Sequence, residues 1–367
     1  MKIAFVFREI KESSNTAYMP IIIKYFISKG HEVEIFAQNI DFLPYFKFHK
    51  LPQFGSNPII NEVLTTTGNI LKLDKSKFDL VYSRANTRYL FADISSLDFL
   101  FKSWSGNESN LTLKSLTFGE KISFLFKKYI IAVSNLMKNE IMKNYGIQES
   151  RIKVIHNGVD TKIFNKKNRH AHESKEIIKK YIENGEKLIL HVGNKPFRKG
   201  LPYLIKAMKI IKNGKLLVIG LNENDIEHFK RVSRDFGVEE KIIFMGMLKH
   251  TELKYYYAAS DIFVLPTFFD PCAVATFEAM ASGCVPIDSI YNGSAELIEH
   301  GKSGFVLRNP KKSYEIANYI NLLINDQNLF KRMQRNSLII AKDRDWNVVA
   351  KEWERFFQEV YERRRTV

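Results

Sequence analysis

The feature that most constrains the fold is a short apolar strand, a loop, a helix and a second apolar strand, found in both halves of the chain. In the first half, residues 2–7 (KIAFVF) form a strand, a helix runs from about Thr16 to Lys29, and residues 31–37 form the next strand. The second half repeats the pattern over residues 187–192, 201–211 and 215–219. Apolar strands alternating with helices are typical of parallel sheets covered on both faces. We therefore predict an α/β protein with two doubly wound units.

The chain length favours two domains, because 367 residues exceed what one hydrophobic core usually holds. Residues 164–186 are charged and polar, which predicts a linker that leads into the second domain. His170, His172 and Glu173 lie in this stretch, but their loose spacing favours an exposed linker over a metal site. In paired sheets of this kind, we expect ligands in a cleft, beyond the carboxyl ends of strands.

The composition indicates a globular protein, with 45% hydrophobic and 26% charged residues. Cys272 and Cys284 are its only cysteines, and we expect both to be reduced thiols in a reducing compartment. The N-terminal residues form a strand rather than the apolar core of a signal peptide. No apolar run approaches the roughly 20 residues of a membrane span. We therefore expect a cytoplasmic protein.

The formal net charge is +16, and the excess of basic residues is spread over both halves. Nucleic-acid binders more often concentrate positive charge on one element, among aromatic residues that stack on bases. A diffuse positive field instead suits phosphate-bearing ligands and anionic membrane surfaces. A nucleic-acid-binding module is thus the least favoured function, and we expect no nucleic-acid partner.

A basic, glycine-containing loop follows the first strand of the second half, with the sequence HVGNKPFRKGL over residues 191–201. Gly193 ends the strand, and Arg198 and Lys199 stand just before Gly200 and a helix. The planar fork of arginine and the point charge of lysine together can neutralise a diphosphate. Neither the dinucleotide-binding pattern G-x-G-x-x-G nor a P-loop is present in this loop.

A second candidate segment is FFDPCAVATFEAMASGCVPI, residues 268–287, in which Asp270 and Pro271 predict a helix start and Gly283 a helix stop. In a helix that starts at Asp270, Glu278 would lie about 12 Å further along the axis. Glycoside hydrolases need two carboxylates roughly 5–10 Å apart, so these acids are better placed to hold two ends of a long ligand. Carboxylates accept hydrogen bonds from sugar and ribose hydroxyls, and the amides of a helix start favour phosphate. This pattern predicts a nucleotide-sugar site.

The same segment resembles the E-x7-E motif of the retaining GT-B glycosyltransferases, in particular glycosyltransferase family 4. Further stretches resemble this family in order and spacing, so that the resemblance covers most of residues 129–361. They are IIAVSNLMKNEIMKNYGI (130–147), VIHNGVDTKIF (154–164), HVGNKPFRKGLPYLIKAM (191–208), MGML (245–248), ASDIFVLPT (259–267) and NGSAELIEHGKSGFVL (292–307).

The resemblance implies a GT-B fold of two Rossmann-like domains, with an acceptor-binding domain at 1–165 and a donor-binding domain at 166–345. A C-terminal helix at 346–367 would cross back onto the first domain. It also implies a retaining hexosyltransferase that needs neither a metal nor a cofactor and uses a UDP- or GDP-sugar as its donor substrate. The acceptor would be a saccharide or a lipid-linked or protein-linked glycan.

The resemblance also implies roles for individual residues. Arg198 and Lys199 would bind the diphosphate, Asp270 the donor sugar and Glu278 the ribose, with Arg198, Lys199 and Asp270 as the catalytic residues. The donor-binding set it implies is Gly193, Arg198, Lys199, Gly246, Asp270, Pro271, Cys272, Ala273, Val274, Ala275 and Glu278.

The chain departs from the family pattern at three places. Asp270 stands where the first glutamate is usual, Ser14 and Asn15 stand where the family has a glycine pair, and Ser105 and Gly106 replace a histidine motif. We expect Ser14, Asn15, Ser105 and Gly106 to line the sugar or acceptor pocket. The missing glycines and histidine leave open a nucleotide-sugar-binding protein with little or no turnover.

Residues 113–129 (LKSLTFGEKISFLFKKY) predict a basic, aromatic amphipathic helix. Such a helix suits peripheral contact with an anionic membrane, at the inner face of the cell membrane for a cytoplasmic protein. The alternative is a helix that packs on its own sheet.

Overall fold

The computed structural model describes residues 1–10, 18–40, 47–51, 73–84, 89, 91–97, 121, 124, 126–183 and 185–366. The chain divides into two compact units. Unit 1 consists of Met1–His156 with Trp346–Val367, and unit 2 of Asn157–Asp345. The division falls after His156 rather than after residue 165, and the C-terminal helix belongs to unit 1.

Unit 1 is built on a parallel sheet of seven described strands, in the order β3-β2-β1-β4-β5-β6-β7. The strands are β1 (Lys2–Ile10), β2 (Glu32–Ile40), β3 (Lys47–Lys50), β4 (Leu80–Arg84), β5 (Ile94–Leu97), β6 (Tyr129–Ala132) and β7 (Ile152–Val154). The order reverses between β1 and β4, which makes the sheet doubly wound.

Side-chain alternation along β1 supplies two separate apolar layers. Phe5 and its neighbours on one face pack against helices α1 (Met19–Ser28) and α10 (Trp346–Arg365). Ala4 and Val6 face the other layer, which includes Phe78 and Tyr89. Helix α2 (Asn135–Tyr145) is capped by the Ser134 hydroxyl and ends at Gly146, which has a φ of +66°.

Unit 2 repeats the architecture with a parallel sheet of six strands, in the order β10-β9-β8-β11-β12-β13. The strands are β8 (Lys187–Val192), β9 (Gly214–Ile219), β10 (Ile242–Met245), β11 (Ile262–Leu265), β12 (Val285–Ser289) and β13 (Phe305–Leu307). The helices are α3 (His172–Tyr181), α4 (Leu201–Ala207), α5 (Glu223–Asp235), α6 (His250–Ala259), α7 (Val274–Ser282), α8 (Ser313–Asn325) and α9 (Gln327–Asp343). Strands β8, β9, β11 and β12 are buried along most or all of their length, because both sheet faces are covered.

The stretch predicted as a linker, residues 164–186, is instead part of unit 2. It forms a 3₁₀ turn, Lys166–His170, and then helix α3. The guanidinium of Arg169 donates to the last carbonyls of α6, at Ala258, Ala259 and Ser260, and to Asp261. A cation at a helix C-terminus satisfies carbonyls that have no partner within the helix. The linker part of the interpretation was therefore wrong, because this anchor is not visible in local composition, whereas the assignment of residues 166–186 to the second domain agrees with unit 2.

Two sequence-based expectations lie mainly outside the described residues. The strand predicted at Leu97–Trp104 overlaps β5 only at Leu97, and residues 98–104 are not described. Most of the predicted amphipathic helix at 113–129 is also not described. Among the helices of the described residues, none has the length and apolar character required to cross a membrane.

Candidate functional site

The candidate site lies in unit 2, at the point where the strand order reverses between β8 and β11. Two loops leave the carboxyl ends of these strands, 193–200 after β8 and 266–273 after β11. The carbonyl of Arg198 accepts hydrogen bonds from the Phe268 amide at 2.8 Å and the Thr267 hydroxyl at 3.0 Å. Such a switch point is the usual ligand-binding position of a doubly wound sheet.

Gly200 allows the two loops to touch. Its φ is +76°, and a Cβ atom built there would stand 2.0 Å from the carbonyl oxygen of Pro266. Any side chain would therefore push the loops apart. Gly200 caps the N-terminus of α4, so it also fixes where that helix begins.

Arg198, Lys199 and Asp270 form a nearly buried cluster of charges. Lys199 Nζ lies 2.5 Å and Arg198 Nη1 lies 3.2 Å from the same oxygen, Oδ2 of Asp270. Arg198 also donates to the carbonyl of Phe269. Among the hydrogen bonds of the described residues, none reaches Oδ1 of Asp270. The cluster has a formal charge of +1, and the structure thus brings together the three residues predicted as catalytic.

The ionisation of Asp270 depends on its two cations. Burial acts to raise the pKa of Asp270, but the charges of Lys199 and Arg198 and their hydrogen bonds outweigh burial and lower this pKa below its ordinary value. Asp270 is therefore ionised and weakly basic at neutral pH.

Asp270 does not start a helix, which corrects the prediction from Asp270 and Pro271. Helix α7 begins at Val274, with Ala273 as its N-cap. The amide of Asp270 instead donates to the Tyr291 carbonyl at 2.8 Å, and the Asp270 carbonyl accepts from the Gly293 amide at 2.9 Å. These tertiary hydrogen bonds hold Asp270 in an extended bridge, so the spacing of 12 Å along a helix does not apply.

Asn292 holds the turn that leads into α7. Its Oδ1 accepts from the Ala273 amide at 3.0 Å, and its Nδ2 donates to Oδ2 of Asp288 at 2.7 Å. Asp288 also accepts from the Thr276 hydroxyl at 2.7 Å and the Ser289 amide at 3.0 Å. The amide of Ala273, one of the residues predicted to bind the donor, is therefore occupied. The next amides, of Val274 and Ala275, stand at the start of α7, where a helix offers no carbonyl partner.

A second residue, Asn157, supports the same turn from the start of unit 2. Its Nδ2 donates to the carbonyl of Cys272 at 2.9 Å. Cys272 and Cys284 are both free and buried, and burial raises the pKa of each thiol. The thiols are thus protonated and packed.

Glu278 lies on α7 with its side chain almost buried. Its Oε1 lies 2.8 Å from Nε2 of His250, the first residue of α6. Tyr257 belongs to α6, like His250, and is fully buried. Burial and the nearby charge of Glu278 raise the pKa of Tyr257 well above its ordinary value. Glu278 therefore sits between a half-exposed imidazole and a protonated phenol.

Three glycines lie side by side where β8, β9 and β10 end. The Gly220 amide donates to the Gly246 carbonyl at 3.1 Å, and a Cβ built on Gly220 would stand 3.3 Å from the backbone of Gly193. The structure thus places Gly193 and Gly246, both predicted from the sequence to bind the donor, together at the carboxyl ends of the strands. Gly220 was not among the predicted donor-binding residues.

The remaining predicted residues separate into two groups. Pro271 and Cys272 lie in the turn between Asp270 and α7. Ser14, Asn15, Ser105 and Gly106 lie outside the described residues. No group of three or more His, Cys, Asp or Glu side chains is placed to hold a metal ion within the described part of the chain.

Four side chains that build the site were not predicted from the sequence: Asn157, His250, Asp288 and Asn292. Asn157 and Asn292 both stand in quoted motifs, and asparagine before glycine is typical of structured turns. His250 and Asp288 have no local signature, because each acts through a partner distant in sequence.

Solved structures of other proteins identify the fold. HepE from Anabaena, solved in complex with UDP-glucose, superposes with a TM-score of 0.76 at 18% identity, over 98% of this chain and 100% of HepE. Sucrose-phosphate synthase from Thermosynechococcus elongatus superposes with a TM-score of 0.78 at 16% identity, over 99% of both chains. WaaG, a glycosyltransferase involved in lipopolysaccharide biosynthesis, superposes with a TM-score of 0.73 at 16% identity, over 95% of this chain and 98% of WaaG. The protein thus has the GT-B fold, with two Rossmann-like α/β domains.

Sequence comparison gives matches to glycosyltransferases in both parts of the chain. Residues 21–163 match the model of Glycosyltransferase Family 4, and residues 173–338 match that of Glycosyl transferases group 1. An uncharacterized glycosyltransferase of Methanocaldococcus jannaschii is 24% identical over 351 residues, or 89% of each chain. The Bacillus subtilis spore coat protein SA is 24% identical over 290 residues, covering 72% of this chain and 74% of that protein. Both matching models describe glycosyltransferases, and together with the fold they support a GT-B glycosyltransferase.

Proposed function

We propose that this protein is a retaining glycosyltransferase that moves a hexose-type sugar from a nucleotide-sugar donor to a saccharide or lipid-linked acceptor. The observation that carries the proposal is the contact of both Arg198 and Lys199 with one oxygen of Asp270, next to the N-terminus of α7. Two nearly buried cations and a helix start are an arrangement suited to a diphosphate.

Charge balance supports a diphosphate ligand. The cluster has a formal charge of +1, and the start of α7 adds a partial positive charge of about half a unit. The diphosphate of a nucleotide sugar carries two negative charges, and they increase when the bond to the sugar breaks. Arg198 and Lys199 would then stabilise the departing nucleoside diphosphate more strongly than the bound donor, and this difference lowers the barrier.

The pKa of Asp270 bears on the route of the acceptor proton. Because its two cations lower the pKa of Asp270, this carboxylate is a poor base. We propose that Asp270 accepts a hydrogen bond from a donor-sugar hydroxyl through Oδ1, while the leaving phosphate takes the proton from the attacking hydroxyl. Attack and departure on one face of the sugar retain the anomeric configuration.

Glu278 would bind the other end of the donor. Its carboxylate sits further along α7 and can accept hydrogen bonds from the two ribose hydroxyls. The amides of Val274 and Ala275 would contact the phosphates, and the glycines at 193 and 246 would let the donor approach the backbone. The fixed cations supply the positive charge, so we expect turnover without an added metal and unchanged by a chelator.

Named relatives guide the choice of substrates to test. HepE was solved with UDP-glucose. A Campylobacter jejuni relative that is 25% identical over 280 residues, 75% of this chain and 72% of that protein, is an N-acetylgalactosaminyltransferase acting on a diphospho-undecaprenol-linked sugar. We therefore propose a UDP-sugar as the first donor to test and a lipid-linked saccharide as the first acceptor, at the inner face of an anionic membrane. Unit 1 would bind the acceptor.

The first experiment screens donors by thermal shift and calorimetry, using UDP-glucose, UDP-N-acetylglucosamine, GDP-mannose and ADP-glucose. A donor at 100 times its dissociation constant adds about 2.7 kcal/mol of stability to the folded protein. We expect one base to be preferred and UDP-N-acetylglucosamine to separate sugar preference from base preference. Binding of none of the four would contradict the proposal.

The second experiment tests the cations with Arg198→Ala, Lys199→Ala and the control Lys195→Ala. Lys195 is an exposed residue of the same loop, so its substitution removes one positive charge without touching Asp270. We expect each of the first two variants to lower turnover by about a hundredfold or more, as does the loss of other transition-state charge contacts, and Lys195→Ala to leave turnover unchanged. Equal activity in all three variants would make the loop structural.

Product analysis tests retention and separates an enzyme from a nucleotide-sugar-binding protein with little turnover. Proton NMR of the first product should show the anomeric configuration of the donor sugar. Slow release of nucleoside diphosphate in the absence of acceptor should also occur and should be lost in Glu278→Ala. Donor binding without any release, with every acceptor class offered, would favour the binding protein.

A further inference from the structure

We propose that His250 is a positioning residue for the donor, holding the carboxylate of Glu278 in the orientation that the ribose diol requires. The inference rests on the proposed function, because it assigns the ribose to Glu278. The motivating observation is the 2.8 Å contact between His250 Nε2 and Glu278 Oε1, which joins the first residue of α6 to the middle of α7.

The two side chains in this contact differ strongly in burial. The side chain of Glu278 is only 9% exposed, whereas that of His250 is 49% exposed. A nearly buried carboxylate needs a hydrogen-bond donor, because burial removes most of the water that would otherwise contact it. His250 supplies that donor from the solvent side, and Glu278 can also accept hydrogen bonds from two hydroxyls.

The imidazole is itself held in place. The ring of Phe164, which is 1% exposed, meets the His250 ring edge-on with centroids 4.9 Å apart. Phe164 also packs edge-on against Tyr257, the phenol close to Glu278. One buried aromatic ring therefore fixes both neighbours of the carboxylate, which favours a single orientation of Glu278.

The charges around His250 favour its protonated form. The hydrogen bond with Glu278 raises the pKa of His250, burial lowers it, and the charges of Glu278 and Asp160 raise it further, with a net increase. Glu278 faces the imidazole from α7 and Asp160 from the segment before Phe164. Tyr257, on the imidazole's own helix, remains neutral because its pKa is raised. No cation of α7 opposes this arrangement, since Glu278 is the only charged residue in that helix.

The sign of the pH dependence follows. Below the raised pKa of His250, its positively charged imidazole donates to Glu278. As pH rises through that pKa, the imidazole loses its positive charge and the contact weakens. Donor affinity should therefore fall as pH increases. The two phosphates of a nucleotide sugar are both esterified, so the probe itself does not titrate in this range.

The test measures dissociation constants for UDP-glucose by calorimetry from about pH 5.5 to about pH 8.5, on either side of an ordinary histidine pKa. If UDP-glucose does not bind, GDP-mannose or ADP-glucose serves as the probe. The proteins are the unmodified chain, His250→Gln, His250→Ala, Glu278→Ala, the double variant His250→Ala with Glu278→Ala, and the control His172→Gln. His172 is an exposed histidine at the start of α3, away from Glu278.

We expect the affinity of the unmodified protein and of His172→Gln to fall several-fold across this range. His250→Gln should bind with nearly constant affinity, because its amide still donates to Glu278 but cannot titrate. His250→Ala should bind about tenfold more weakly at low pH, the value of a hydrogen bond to a charged group. In the Glu278→Ala background, His250→Ala should have no further effect.

Two outcomes would overturn the inference while leaving the proposed function standing. One is an identical pH profile for the unmodified protein and His250→Gln. The other is an undiminished effect of His250→Ala when Glu278 is absent, which would mean that His250 contacts the ligand itself. If none of the three probes binds the unmodified protein, the proposed function fails and this inference fails with it.

Discussion

Asp288 accepts a hydrogen bond of 2.7 Å from the side-chain amide of Asn292, and both residues are fully buried. Asn292 in turn accepts a hydrogen bond from the Ala273 amide, and Asp288 accepts a second hydrogen bond from the Thr276 hydroxyl. The turn before α7 and the first turn of α7 are therefore oriented by one buried carboxyl group. The stability of this region should depend on its protonation.

We predict that Asp288→Asn changes the pH dependence of stability. Burial raises the pKa of Asp288 to about 7, against about 3.9 in an unfolded chain. A raised pKa contributes stability that is complete below about pH 4 and is lost as pH rises towards 7. The variant lacks this titration, so its stability relative to the unmodified protein should rise between pH 5 and pH 8, by on the order of a few kcal/mol.

Urea unfolding at four pH values measures this difference. Asp235→Asn, which makes the same change of charge at an exposed position at the end of α5, is the control. If both variants show the same pH dependence relative to the unmodified protein, the carboxyl of Asp288 does not titrate in this range.

A second prediction concerns Gly200→Ala. The new Cβ would clash with the Pro266 carbonyl, in addition to the cost of a φ of +76°. We expect a loss of several kcal/mol of unfolding free energy together with weakened donor binding, because the loops of Arg198 and Asp270 would separate. Gly237→Ala is the matched control: its φ is +65°, but nothing lies within 4 Å of the added atom, so only about 1–2 kcal/mol should be lost. Equal losses in denaturant unfolding would show that the backbone conformation, and not the contact between loops, accounts for the cost.

A third prediction tests the place of the C-terminal helix in the core of unit 1. Phe357 of α10 is fully buried, and its ring lies 5.0 Å from that of Phe26 and 5.9 Å from that of Phe5, measured between centroids. Phe357→Ala should therefore lower the unfolding free energy of unit 1 by about 3–5 kcal/mol. The adjacent residue Gln358 is exposed, and Gln358→Ala should change it by less than about 0.5 kcal/mol.

Tryptophan fluorescence is a suitable measurement, because Trp346 and Trp353 are buried in this core. An unchanged fluorescence transition in Phe357→Ala would mean that α10 contributes little to this core.

Much of the fold was predictable because parallel strands buried on both faces are continuous apolar runs. Residues 187–192 were predicted as a strand and form β8 with those limits. The limits of helix α2 are also marked locally, because Ser134 and Gly146 cap it. Helix α4 is shorter than predicted and ends at Ala207, since nothing in the apolar pattern up to Ile211 marks its end.

Two errors have a common physical cause. Asp270 and Pro271 have the composition of a helix start, but the backbone of Asp270 pairs with the loop at Tyr291 and Gly293 instead. Residues 164–186 have the composition of a linker, but Arg169 anchors them to the end of α6. In both cases a hydrogen bond to a residue distant in sequence outweighs a local preference of about 1 kcal/mol.

By itself, the sequence determined the doubly wound architecture, the resemblance to glycosyltransferases and the presence of Arg198, Lys199, Asp270 and Glu278 on loops and helices beside strand ends. These properties depend on local periodicity and on motifs that stay contiguous in the chain. Only the tertiary structure decided that both cations meet one oxygen of Asp270, that Asn292 occupies the Ala273 amide and that His250 faces Glu278. Those contacts join residues from separate loops, and their geometry exists only once the packed sheet has brought its strand ends together.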